Sequence, residues 1–203
     1  MLLGLREHWP ANHANKPIEQ LGAAIADGNG AEASSMALSL AKLGYITAIY
    51  RDSDDPLSAA QQASLAAVGI PVFEYGGGLY TEQAIFSAAS DDRVKELLKY
   101  ARDERGDDFV DNNLSTKIGD LDVATIRADF DQWGLHSSKS AAELREAIAE
   151  VAAGKDTKKD KKPWFKDQRL GRGLAPFVWN IAAEDPTSPL AQTLAATEAW
   201  LYA

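Results

Sequence analysis

The stretch "YITAIYRDSDD", residues 45–55, contains the features on which the fold prediction depends. Its first part, "YITAIYR" (45–51), consists mainly of β-branched and aromatic residues, which predicts a strand. Three carboxylates, Asp52, Asp54 and Asp55, follow directly, so we expect them at the carboxyl end of that strand. Functional groups gather at this end of parallel sheets.

Strand and helix signals alternate on both sides of this stretch. Two segments have a helical pattern and end at a glycine, which predicts capped helices. Two short apolar runs end in glycine-rich turns, which predicts strands. The segments in order are "GAAIADGNG" (22–30), "AEASSMALSLAKLGY" (31–45), "YITAIYR" (45–51), "PLSAAQQASLAAVG" (56–69) and "IPVFEY" (70–75). The order β-α-β-α-β predicts an α/β fold, a Rossmann-like parallel sheet flanked by helices.

Helices dominate the second half of the chain. Ser140 and Glu143 form a capping box, and Pro176 predicts that its helix begins or is kinked there. We expect amphipathic helices at 90–105, 121–135, 140–155, 166–183 and 188–202, with an irregular link at 107–120. The predicted division is a first part of the core at 1–89, an all-helical insertion at 90–160, and a return to the core with C-terminal helices at 161–203.

Composition excludes several classes of protein. The 203 residues include no cysteine, so disulfides, zinc–thiolate sites and thiol nucleophiles are excluded. No apolar run approaches the roughly 20 residues of a membrane span, and the start "MLLGLREHWP" lacks the features of a secretory signal. We therefore expect a cytoplasmic protein that does not bind membranes.

Charge is distributed unevenly. The chain has a net charge of −9, yet residues 155–172 contain eight Lys or Arg against three Asp. A basic patch on an acidic body indicates a phosphate-bearing partner, and a solvated lysine linker is the alternative. Its candidates for contact with phosphate or DNA are Lys161, Lys162, Arg169 and Arg172.

The acidic turn after residue 51 is the main candidate site. Asp52 and Asp54 are two positions apart at a strand end, so both side chains can face one cation. Hard oxygen ligands favour Mg²⁺ or Mn²⁺ over Zn²⁺. Asp55 before Pro56 is typical of a helix N-cap, and a purely structural acidic turn remains the alternative for all three acids.

Three further motifs supply candidate groups. Glu82 in "GGGLYTEQAIF" (76–86) adds a carboxylate after the next strand, although an acid is also favoured at a helix start. Gly28 and Gly30 belong to a turn whose N–H groups could approach phosphate. Lys166 follows Trp164 and Phe165, whose burial would anchor it. A fixed lysine near metal-binding carboxylates can neutralise charge on a phosphoryl group, and a lysine that faces water is the alternative.

Four segments together resemble the Toprim domain, the metal-binding module of bacterial primases, topoisomerases and several nucleases. They are "ADGNG", "LAKLGY", "RDSDD" and "GIPVFEYGGGLYTEQAIF". The chain is most similar to class 2 of the overcoming-lysogenization-defect (OLD) nucleases, whose Toprim core is interrupted by a helical domain. The resemblance implies a metal-dependent DNA endonuclease with two Mg²⁺ or Mn²⁺ ions, for which Ca²⁺ is a non-catalytic substitute.

The resemblance also assigns roles to residues. It implies that Asp52, Asp54 and Glu82 bind metal and that Asp52 and Lys166 take part in catalysis. It implies as partners DNA, the ATPase domain of a larger parent chain, a helicase-like protein and a second copy of the chain. The family's first strand, with its "EGxTE"-like glutamates, has no counterpart here, so a catalytically incomplete fragment is expected.

Two other classes of protein remain open on these residues. In a haloacid-dehalogenase-like phosphatase the first Asp of an Asp-x-Asp pair, here Asp52, attacks phosphate. That pair usually follows the first strand of the fold, and Pro56 replaces the small β-branched residue expected soon after it. In a receiver-like protein-binding module, the acids would only cap helices.

Overall fold

The computed structural model describes residues 1–155 and 162–203. These residues form mainly helices, with a small parallel sheet. The elements are α1 (Leu2–Leu5), α2 (Ala33–Lys42), β1 (Ile49–Arg51), α3 (Ala59–Ala67), β2 (Val72–Glu74), α4 (Thr81–Ala88), α5 (Asp91–Arg105), α6 (Asp107–Ile118), α7 (Val123–Arg127), α8 (Phe130–His136), α9 (Ala141–Ala153), α10 (Gln168–Glu184) and α11 (Pro189–Leu201).

The sheet consists of β1 and β2, which run parallel with Tyr50 opposite Phe73. Helix α3 connects them, so a β-α-β unit forms where it was predicted. The predicted strand at 22–30 is wrong, because residues 23–29 have no regular secondary structure and pair with neither strand. Ile25 is the single β-branched residue of that run, which leaves its strand propensity low.

The two helices beside the sheet end at the predicted glycines but begin later in the chain than predicted. Gly44 and Gly69 follow α2 and α3 with φ of 90° and 72°, a backbone conformation that favours glycine. The cap of α3 is Ser58, which forms a capping box with Gln61. The prediction that Asp55 caps this helix is therefore wrong. The Arg51 guanidinium is hydrogen-bonded to the Asp55 main-chain carbonyl, which belongs to the turn before the helix.

The helical part differs from the prediction at three places. The segment 107–120 is not a link: it forms α6, because Val110, Leu114 and Ile118 recur every four residues and are buried together. The helix predicted at 121–135 is two short helices, α7 and α8. Helix α10 begins at Gln168 and continues through Pro176, so it does not begin at the proline.

Two hydrophobic clusters hold these elements together. The larger joins α1, α4, α5, α6, α9, α10 and α11, and the smaller joins α2, α3 and β1. The closest helix pairs are α1 with α10 and α4 with α9. The division at residues 89 and 160 stays a prediction. None of the helices in the described ranges combines the length and the apolar character that crossing a membrane requires.

Candidate functional site

A cleft of about 610 Å³ lies at the carboxyl end of β1. The glycine turn before α2 and the acidic turn after β1 both border it. Among the predicted site residues, Gly28, Gly30, Asp52 and Asp54 line this cleft. The structure therefore brings two of the predicted metal ligands and both predicted phosphate-contacting glycines to one place.

The glycine turn has a conformation that requires its glycines. Gly30 has a φ of 58°, and a side chain at Gly28 would come within 2.8 Å of the Cβ of Ala33. The Asp27 carboxylate accepts a 3.0 Å hydrogen bond from the Asn29 N–H, which closes the turn. The turn can thus bring its backbone close to a group in the cleft.

Two hydrogen bonds to main-chain carbonyls hold the acidic turn in place. The N–H of Ser53 donates a 2.9 Å hydrogen bond to the carbonyl of Leu79, in the segment that precedes α4. The Arg51 side chain donates a 2.9 Å hydrogen bond to the Asp52 carbonyl. Because Ser53 is tied to the neighbouring segment, the flanking Asp52 and Asp54 are both kept at the cleft.

Asp52 is partly buried and short of compensating charge. Thr81 Oγ1 donates a 2.6 Å hydrogen bond to Asp52 Oδ1. Burial raises the pKa of the Asp52 carboxyl, and the nearby charge of Asp54 raises it further, while the Thr81 hydrogen bond and the Lys155 charge lower it. A cation bound at Asp52 would favour the ionised carboxylate.

Two tyrosines extend the hydrogen bonding behind Asp52. The hydroxyl of Tyr75 lies 3.4 Å from Thr81 Oγ1 and is hydrogen-bonded to the hydroxyl of Tyr50. Thr81 has one proton, which it gives to Asp52, so Tyr75 donates to Thr81 and Tyr50 donates to Tyr75. Burial raises the pKa of both tyrosines, which keeps them protonated at neutral pH. Tyr50 is the middle residue of β1 and Tyr75 directly follows β2, and no motif in the sequence marks this role.

Lys155 is the first residue of the basic run at 155–172, but it was not among the candidate site residues drawn from that run. It follows Gly154, which ends α9 in a left-handed conformation with φ of 68°. Its ammonium is paired with the carboxylate of Asp54 and lies 3.6 Å from the centre of the Tyr80 ring. The glycine cap indicates a fixed position for Lys155. Nothing local pairs it with Asp54, because the two residues are 101 positions apart.

Glu82 lies in the first turn of α4, where it was predicted, and is only 6% exposed. Burial raises the pKa of its carboxyl, while its own backbone N–H and the nearby charge of Lys166 lower it. The charges of Asp52 and Lys155 also act on it, in opposite directions. Glu82 is thus electrostatically coupled to the site, although it does not line the cleft.

Lys166 is exposed and follows an anchored segment. Trp164 and Phe165 are buried, which confirms the predicted anchor. Arg105 donates hydrogen bonds of 2.7 Å and 3.0 Å to the carbonyls of Pro163 and Trp164. These contacts anchor the backbone before Lys166, and the charge of Lys166 lowers the pKa of Glu82.

The other predicted basic residues lie elsewhere. Arg169 pairs with Glu104 at 2.6 Å, and Arg169 and Arg172 border a different surface cleft. Lys162 is exposed. Lys161 and most of the predicted basic linker lie outside the described residues. The two arginines are therefore not part of the acidic cleft.

The acidic pair suits a hard divalent cation. Carboxylate oxygens are the ligands that Mg²⁺ and Mn²⁺ prefer, and the Lys155 ammonium shows that a cation is accommodated against Asp54. Within residues 1–155 and 162–203, no three His, Cys, Asp or Glu side chains are grouped around one potential metal position. Binding of Mg²⁺ or Mn²⁺ by Asp52, Asp54 and Glu82 stays a prediction.

Comparisons with protein-family profiles, with curated proteins and with solved structures find no match to this chain. The resemblance to the Toprim domain therefore stays a prediction based on the quoted motifs.

Proposed function

We propose that the protein is a metal-dependent DNA endonuclease with a Toprim-like core, in which Asp52 and Asp54 bind Mg²⁺ or Mn²⁺. The observation that carries the proposal is that both carboxylates line one cleft, together with Gly28 and Gly30. When bound there, divalent ions would neutralise a scissile phosphodiester, activate water and stabilise the leaving oxygen.

The residues of the chain have separate tasks in this proposal. Thr81 orients the Asp52 carboxylate through its hydrogen bond, and Asp54 supplies the second oxygen donor. Backbone N–H groups of the turn at Gly28 and Gly30 contact a phosphate oxygen. The ammonium of Lys166 neutralises charge on the phosphate, which is effective because its segment is held in place.

DNA is a demanding partner for this chain, because the net charge is −9. Metal ions at the acidic cleft would offset the repulsion locally, and the basic run at 155–172 would add attraction that falls with salt. The Toprim resemblance supports Glu82 as a ligand of a second ion. It also supports the ATPase domain, the helicase-like protein and the second copy of the chain as further partners.

The test is nicking of supercoiled plasmid DNA by the purified full-length parent protein, which would supply the first Toprim strand that the resemblance implies, with Mg²⁺, Mn²⁺, Ca²⁺ or EDTA present. We expect nicking with Mg²⁺ and Mn²⁺ and none with Ca²⁺, with EDTA or in Asp52→Asn. Calorimetric titration of Mn²⁺ accompanies the assay, so that binding is measured separately from cleavage. A protein that binds no Mn²⁺, or whose nicking persists unchanged in Asp52→Asn, would contradict the proposal.

The phosphatase alternative is separated by its substrate. A haloacid-dehalogenase-like enzyme would hydrolyse p-nitrophenyl phosphate through an aspartyl-phosphate at Asp52, whereas the endonuclease would act on the diester. Hydrolysis of the monoester without DNA nicking would favour the phosphatase. A protein that binds no Mn²⁺, does not nick DNA and does not hydrolyse the monoester would favour the protein-binding module.

A further inference from the structure

Lys155 brings a positive charge from the end of α9 to the acidic turn after β1. Its ammonium is paired with Oδ2 of Asp54, and its charge also acts on Asp52 and Glu82. Lys155 therefore contacts one of the three carboxylates predicted to bind metal. An ammonium and a divalent ion compete for a carboxylate, because each neutralises the same negative charge.

The position of Lys155 is defined by contacts at both ends of its side chain. Gly154 ends α9 in a left-handed turn, where the N–H of Lys155 donates a 3.0 Å hydrogen bond to the Glu150 carbonyl. At the other end, the ammonium lies over the ring of Tyr80, a residue that is itself buried. The backbone and the ring therefore direct this lysine to Asp54.

The ion pair is nevertheless able to open. The side chain of Lys155 is 41% exposed and that of Asp54 is 29% exposed, so water screens their attraction. Pairs of this kind contribute little to stability, and a stronger cation can replace the ammonium. The freed lysine would remain tethered beside the cleft by its backbone.

We propose that Lys155 is a tethered counterion of the metal site. Without metal, its ammonium neutralises Asp54 and limits repulsion between Asp54 and Asp52; a divalent ion that binds this pair displaces it. The inference rests on the proposed function, because it assumes that Asp52 and Asp54 are metal ligands. It makes Lys155 a residue that sets the affinity of the site.

The experiment compares Mn²⁺ binding to the wild-type chain and to three variants by calorimetric titration. Lys155→Met removes the charge and keeps the length of the side chain, and Lys155→Arg keeps the charge. Lys99→Met is the matched control, since it removes an equal charge from an exposed lysine on α5. We expect Lys155→Met to bind Mn²⁺ about threefold to fivefold more tightly, as loss of a screened ion pair predicts. Lys155→Arg and Lys99→Met should bind within about twofold of the wild type.

A second measurement follows the ammonium itself. Lysine acetylation by an amine-reactive reagent is quantified by mass spectrometry with and without Mn²⁺. We expect Mn²⁺ to increase the modification of Lys155, because displacement breaks its pair with Asp54, and to leave the modification of the exposed Lys99 unchanged. This readout does not depend on cleavage of DNA.

The outcomes separate the two proposals. If the wild type binds Mn²⁺ and Lys155→Met binds it equally well or more weakly, the counterion role is wrong and the proposed function is unaffected. Unchanged acetylation of Lys155 at saturating Mn²⁺ would also overturn it. If neither the wild type nor any variant binds Mn²⁺, both proposals are wrong. The counterion role is supported if Lys155→Met is the only variant that binds Mn²⁺ more tightly and if Mn²⁺ increases the acetylation of Lys155 in the wild type.

Discussion

Thr81 Oγ1 donates a 2.6 Å hydrogen bond to Oδ1 of Asp52, and this contact joins the segment after β1 to the segment after β2. Asp52 directly follows β1, whereas Thr81 is the first residue of α4, which follows β2. The orientation of the principal acid at the cleft is therefore set by the neighbouring segment of the chain. Partners of this kind fix metal ligands in other sites.

Replacement of Thr81 tests this relationship. In Thr81→Val the side chain keeps its shape but loses the hydroxyl, so Asp52 is free to rotate. We expect Mn²⁺ affinity to fall by about 10-fold to 100-fold, the usual effect of removing an outer partner of a metal ligand. Calorimetric titration measures it, with Thr81→Ser as the control that keeps the hydroxyl. Equal affinity in Thr81→Val and the wild type would remove Thr81 from the site.

Asp52→Asn keeps an acceptor for the Thr81 hydroxyl and removes the charge. We expect a loss of Mn²⁺ affinity larger than that of Thr81→Val, together with loss of DNA nicking, because a neutral amide is a poor ligand for a hard cation. Asp55→Asn is the matched control: Asp55 also lines the cleft, and its main-chain carbonyl is bound by Arg51. If both variants lose affinity equally, general charge rather than ligation by Asp52 explains the result.

Lys166→Met is expected to reduce DNA cleavage by roughly 100-fold, the order found when one group that stabilises transition-state charge is removed. Its Mn²⁺ affinity should change little, because Lys166 contacts neither Asp52 nor Asp54 among the described residues. Nicking rates at saturating Mn²⁺ measure the effect, with Lys99→Met, at an exposed lysine on α5, as the control. Unchanged cleavage would make Lys166 an ordinary surface residue.

The raised pKa of Glu82 predicts that the stability of the protein depends on pH. Burial raises the pKa of Glu82, so the folded protein holds this proton more tightly than the unfolded chain, whose glutamates have a pKa of about 4.3. The contribution of this group to the free energy of unfolding is full below the unfolded value and is lost as pH rises through the folded value. Glu82→Gln cannot ionise and avoids this loss.

Urea unfolding at pH 4 and pH 7 tests the sign. We expect Glu82→Gln to be more stable than the wild type at pH 7, with the difference narrowing at pH 4. The raised pKa of Asp52 acts in the same direction in both proteins. A variant that is less stable than the wild type at pH 7 would show that the Glu82 carboxylate is well compensated when the protein is folded.

Asp111 provides a prediction outside the site. It is fully buried in α6, where Arg102 and Arg127 each donate a 2.8 Å hydrogen bond to one of its oxygens. In Asp111→Ala both arginines lose this partner, and we expect the free energy of unfolding to fall by about 3–5 kcal/mol. Urea unfolding measures the loss, with the exposed Asp107→Ala of the same helix as control. If Asp111→Ala and Asp107→Ala lower the free energy of unfolding equally, Asp111 is not an important partner of the two arginines.

Much of the local structure was predictable, because its causes are local. The glycines after α2 and α3, the capping box of Ser140 and the apolar stripe of α5 each depend on residues within a few positions. The prediction of a strand at 22–30 was wrong, because a strand also requires a neighbouring strand to pair with, and this segment has none in the sheet. Helix α6 was missed because polar residues surround its apolar repeat of four.

The sequence by itself determined the β-α-β unit and the location of Asp52 and Asp54 at the carboxyl end of β1, since the order of elements and the position of acids are properties of the chain. Only the tertiary structure decided the surroundings of these acids. Thr81 bonds to Asp52, Lys155 pairs with Asp54, and Glu82 is buried nearby. These contacts join residues far apart in the chain, and packing of helices from different regions, rather than any local pattern, brings them together.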